Sequence, residues 1–147
     1  MSAILPLPTD ECERLLRAGV FGRMVVTTPT GAEIVPVNYA VVADAILVRT
    51  SSGSLLDRHA DGAALLFEVD QVDHERWHGW SVVARGWGER LDEDDLSEAE
   101  LGSPGPPRWV SRDRETWIRL RWDELSGRRL GSGWDSLADL PVRRAWR

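Results

Sequence analysis

Residues 21–54 read FGRMVVTTPTGAEIVPVNYAVVADAILVRTSSGS, and their pattern decides the fold. Met24 to Thr28 is short and β-branched, and Thr28–Pro29–Thr30–Gly31 places proline and glycine where a β-turn wants them. Glu33 to Val42 predicts a second strand, Ala43–Asp44 a turn, and Ala45 to Thr50 a third strand. Three short strands joined by tight turns form an antiparallel meander. Ser51–Ser52–Gly53–Ser54 then interrupts the sheet, and Leu55, Leu56 and His59 predict a short helix capped by Ser54 or Ser52.

Upstream, Thr9 or Asp10 is expected to cap a helix, with Cys12, Leu15 and Leu16 on its buried face and Gly19 as its stop. Cys12 reads as a small buried hydrophobe. Downstream, Ala63 to Asp70 returns to strand and Gln71 to His78 reads as a polar loop. Gly79 to Leu91 is a long strand in which Gly86 and Gly88 mark a bulge or bend. Asp92 to Glu100 predicts an acidic helix or lid, and Gly102 to Pro107 a surface loop. Thr116 to Trp122 alternates, with Ile118, Leu120 and Trp122 on one side and Arg119 and Arg121 on the other. Six strands with one helix inserted after the third fit a small, mainly β barrel. Residues 1–130 make one domain and residues 131–147 a tail with apolar anchors such as Trp134 and Leu137.

Composition narrows the function. The 147 residues carry 24 acidic side chains against 18 basic ones, a net charge of −6, which argues against a nucleic-acid partner. No apolar run approaches the ~20 residues that span a bilayer, so no membrane partner is expected. One cysteine and no signal-like start point to a cytoplasmic protein. All the basic residues are arginine, which excludes lysine Schiff-base chemistry in this chain. No metal site is expected from His59, His74 and His78, which read as solvated or structural.

Three segments carry possible chemistry. Arg49–Thr50–Ser51–Ser52–Gly53–Ser54 leaves a strand and enters a helix with four hydroxyls, a glycine and a fixed cation, a set that suits a phosphate and also suits a plain turn. In Val35–Pro36–Val37–Asn38–Tyr39 the proline belongs on an edge or bulge, which would leave backbone groups free for the polar rim of a heterocycle. In Gly79–Trp80–Ser81 the indole can stack on a flat ring or fill the core. With eight tryptophans, some are expected at an interface between subunits.

Taken in order, Gly22–Arg23, Ile34 to Tyr39, Arg49 to Leu55, Phe67–Glu68–Val69–Asp70 and Gly79 to Val83 resemble the pyridoxamine 5′-phosphate oxidase-like, flavin-binding split-barrel family. Ser126–Gly127–Arg128–Arg129, after the last strand, resembles its closing motif. The resemblance implies a six-stranded antiparallel Greek-key split barrel with a few short helices, working as a homodimer with flavin sites between subunits. It implies a small FMN-dependent oxidoreductase acting on a small molecule. Val35, Pro36, Val37 and Asn38 would lie along the isoalloxazine ring; Arg49, Thr50, Ser51 and Ser54 would hold the phosphate; Trp80 and Ser81 would close the ring pocket. Leu55 stands where relatives commonly carry a cation, so coenzyme F420 is the alternative cofactor. A non-catalytic flavin, deazaflavin or haem binding protein is the alternative function.

Overall fold

The computed structural model describes residues 4–102 and 115–131. Among the described residues, alternation along the chain becomes seven strands and three short helices: β1 (Ile4–Pro6), α1 (Thr9–Ala18), β2 (Phe21–Thr28), β3 (Gly31–Val42), β4 (Ala45–Ser51), α2 (Leu55–His59), β5 (Ala64–Asp73), β6 (His78–Leu91), α3 (Glu98–Gly102) and β7 (Glu115–Leu130). A 3₁₀ turn, Glu93–Asp95, lies between β6 and α3. The sheet is antiparallel in the order β1-β7-β4-β3-β2-β5-β6, and a further β6–β7 pairing closes it into a ring.

The expected six strands form that ring; β1 is the seventh. Its three residues, ending on Pro6, are too short to show a period, and they are held by pairing with Arg128 to Leu130. The last strand does not stop at Trp122 but runs to Leu130, so Ser126 to Arg129 lies inside it. A register shift opposite Arg85 and Gly86 hides the continuation, because it inserts a polar pair, Asp123–Glu124, into the alternation. Gly86 is required there by close approach: an added Cβ would stand 1.8 Å from the Arg121 carbonyl oxygen. Gln71 to Asp73 also belongs to strand, leaving His74 to Trp77 as the hairpin turn.

Apolar side chains at every second position fill the ring. Met24 and Val26, Leu65, Phe67 and Val69, and Trp80, Val82 and Ala84 all point inward. Helix α1 covers one opening with Cys12, Leu15 and Leu16, all fully buried, and the Tyr39 hydroxyl donates to the Leu16 carbonyl at 2.6 Å. The expected side-chain cap is absent: Pro8 is the N-cap, and Asp10 and Glu11 face the helix dipole instead. Burial raises the Cys12 thiol pKa, as a packing role requires.

Strand β4 is buried on both faces. Ile46 and Val48 join the main core, while Leu47 packs with Leu91, Leu96 and Trp117 in a second one. Residues 92–102, expected as an acidic helix or lid, are fastened across β7 by Glu100, whose carboxylate accepts from both Nε and Nη2 of buried Arg119. Residues 103–107 of the expected surface loop and 132–147 of the expected tail lie outside the described residues.

Candidate functional site

The ring is split at one seam. Strands β3 and β4 pair only through Tyr39–Val42 and Ala45–Val48. On the β3 side, Gly31 to Asn38 pairs with β2 alone among the described residues; on the β4 side, Arg49 to Ser51 pairs with β7 alone. Asn38 and Arg49 are the first residues past the seam. The segment expected along a ring and the segment expected to hold a phosphate are thus the two lips of one opening. This also accounts for Pro36, whose strand has a free side where no amide donor is needed.

Alternation sorts the β3 lip. Pro36 and Asn38 face outward, whereas Val37 is buried and Val35 packs against the core, so these two valines offer a ligand backbone rather than side chains.

The β4 lip is held by its own polar groups. Ser54 caps α2, accepting from the Asp57 amide at 3.2 Å, and its hydroxyl lies 2.6 Å from that of Thr50. Asp57 reaches back to take the Gly53 amide at 2.7 Å and the Arg90 Nε at 2.6 Å. The Gly53 amide, with Arg90 and Thr116, holds the Asp57 carboxyl below its usual range. Arg49 lies 4.2 Å above the Trp117 ring, with its Nε 3.5 Å from Glu115. An anion here would meet the Arg49 guanidinium, the exposed Ser51 hydroxyl, and the one proton that the Thr50–Ser54 pair has left to donate. It would not meet the Gly53 amide. Leu55, half-buried, adds apolar surface beside this set. The donors fit a phosphate without a second cation directly after Ser54. Asp57 was missed from sequence, although Ser54 and Asp57 have capping-box spacing that could have found it.

Trp80, expected to close the ring pocket, has no exposed surface and fills the core. Ser81, its neighbour, faces outward instead. Two strands, β2 and β5, separate Ser81 from Asn38, about 14 Å across the sheet at the usual strand spacing. One chain does not gather Asn38 and Ser81 around one ring.

Between them lies a charged row. Arg23 on β2 places Nη1 2.9 Å from Glu68 Oε2 and 3.1 Å from Asp70 Oδ2. One cation against two carboxylates leaves a surplus negative charge; burial, with Asp70 beside it, pushes Glu68 up to about 7. Register continues this row from Glu68 through Arg23 to Pro36, at the β3 lip.

A family profile described as pyridoxamine 5′-phosphate oxidase matches residues 8–129. The FAD binding protein of Mycobacterium smegmatis is 33% identical, with a TM-score of 0.71 and coverage of 88% of this chain and 99% of that one. An uncharacterised protein of Mycobacterium tuberculosis is 27% identical over 132 residues, 86% of each chain. The FAD and haem binding protein of Mycobacterium smegmatis shares the fold at 18% identity and a TM-score of 0.63, covering 91% of this chain and 78% of that one.

Proposed function

The chain belongs to the pyridoxamine 5′-phosphate oxidase family, and from that membership we propose that it is a flavin-dependent oxidoreductase working as a homodimer. The observation that carries this reading is the seam, which sets outward-facing Pro36 and Asn38 opposite Arg49 and the Thr50–Ser54 hydroxyls. The 33% identical FAD binding protein supports a flavin as the group held there, FAD or FMN. When bound, the flavin supplies hydride transfer, and the protein supplies orientation and charge.

The roles of the chain's own residues follow from their positions. Arg49 and the hydroxyls neutralise and hold the phosphate end, while backbone of Val35 and Val37 with the Asn38 amide borders the ring. Glu68, beside Asp70 and Arg23, can hold or release a proton near neutrality on the same face.

The dimer is supported by that outer face. Phe21, Ile34 and Trp87 are 42%, 65% and 60% exposed, and Pro36 stands among them. A second chain laid on this face would cover them and bring its own Ser81 toward the seam.

The test is anaerobic mixing of the flavin-loaded protein with NADH or NADPH. Bleaching of the flavin absorption is expected. A flavin that binds and never bleaches with either reductant would leave a carrier rather than an oxidoreductase.

A further inference from the structure

We propose that Arg58 is the second cation of the phosphate site, its guanidinium reaching back along α2 to close on the flavin phosphate together with Arg49. The inference rests on the flavin reading for the identity of the ligand and on the geometry of α2 for the rest.

A phosphate brings more charge than Arg49 alone can answer. A phosphate monoester carries about −1.5 to −2 at neutral pH. Arg49 offers one positive charge and shares it with Glu115, 3.5 Å from its Nε. Arg90, drawn toward the turn by Asp57, gives its Nε to that carboxylate at 2.6 Å and has Asp92 3.9 Å away. Arg58 is exposed and forms no ion pair among the described residues. Arg85, Arg121 and Arg128 share that property; what sets Arg58 apart is where α2 puts it.

The Arg58 amide donates to the Ser54 carbonyl at 3.0 Å, which stacks residue 58 on residue 54. At about 100° per residue, Arg58 falls between Ser54 and Leu55 on the helix surface and nearly opposite Leu56, which is fully buried. Positions three and four apart hold their Cβ atoms about 5–6 Å from each other. Helical side chains also lean toward the N-terminal end. An extended arginine at 58 can therefore set its guanidinium beside the Thr50–Ser54 hydroxyl pair and the exposed Ser51. Half-buried Leu55 gives the arginine stem apolar surface to lie on. Guanidinium forks match phosphate oxygens two at a time.

The nearest acids do not compete. Asp57 is next in sequence, but its carboxylate takes the Gly53 amide at 2.7 Å and the Arg90 Nε. Asp61 accepts the Arg90 amide at 2.9 Å and forms no ion pair with Arg58. Helix α2 thus divides its charges: Asp57 fixes the turn, and Arg58 is left for the ligand.

Fluorescence titrations compare riboflavin, FMN and FAD on the full chain and on Arg58→Gln. Amide NMR of Ser51 to Ser54 follows inorganic pyrophosphate with no flavin added. Arg58 lies outside the core, so the variant should melt with the wild type. Arg58→Gln should weaken FMN and FAD by about tenfold or more and leave riboflavin, which has no phosphate, unchanged. Arg58→Lys should keep most of the affinity, and Arg14→Gln, on α1, all of it. Pyrophosphate should shift the Ser51–Ser54 amides of the wild type, and shift those of Arg58→Gln only at about tenfold higher concentration or more.

FMN and FAD held equally by the wild type and Arg58→Gln would overturn the proposal and leave the flavin reading intact. An equal loss of riboflavin would also overturn it, since Arg58 would then shape the turn rather than meet the phosphate. A wild type that takes pyrophosphate through Arg58 but no flavin would sustain the second cation and remove the flavin reading alone. With neither ligand bound, both fall.

Discussion

Replacing Glu100 by glutamine removes one charge from the clasp that fastens residues 92–102 over the second core. Its carboxylate is 4% exposed, Arg119 is 9% exposed, and the two share a forked pair of hydrogen bonds. Arg119 therefore holds the Glu100 carboxyl down at about 2, against 4.5 ordinarily. That difference corresponds to about 3 kcal/mol of stability at neutral pH. Because the folded-state value is lowered, the contribution is complete above pH 4.5 and is lost as pH falls through about 2. Glu89, 3.0 Å from Arg119 but 48% exposed, is a weak substitute. Glu100→Gln should unfold about 3 kcal/mol more easily in urea at pH 7, and roughly 10 °C earlier on heating. The gap between variant and wild type should shrink steadily from pH 4.5 downward. A loss below about 1 kcal/mol at pH 7, the worth of an exposed ion pair, would refute the reasoning. A gap that stays constant from pH 7 to pH 3 would do the same.

The remaining predictions concern the charged row and the bulge. In Asp70→Asn, Glu68 should titrate well below its present value of about 7, read by carbon NMR of its side-chain carboxyl. Since burial and Asp70 raise that value, Glu68 makes the wild type lose stability as pH rises from 4.5 through about 7, and the variant should lose less over that window. An unchanged Glu68 titration would show that Asp70 is not a cause. Gly86→Ala must push the Arg121 carbonyl aside and should cost about 3 kcal/mol, seen as a lower urea midpoint; a wild-type midpoint would mean that the bulge is not tight.

The meander, the Ser54 cap and the glycine-marked bulge were legible because each rests on local rules: period two, a hydroxyl before a helix, a residue without a side chain where strands crowd. The seam was legible only indirectly, through Pro36, because which strand leaves which is a property of pairing rather than of any one segment. Trp80 shows the limit. Its neighbours suit a ring pocket equally well, and only the register of β6 turns the indole inward and Ser81 outward.

The central claim, that the seam holds a flavin through Arg49, is tested most directly by fluorescence titration of FAD and FMN with the wild type and with Arg49→Ala, alongside a thermal melt of each. The account predicts micromolar binding of at least one flavin by the wild type, lost in a variant that still melts cooperatively. Tight flavin binding by a folded Arg49→Ala protein, or no flavin binding by the wild type, would contradict it.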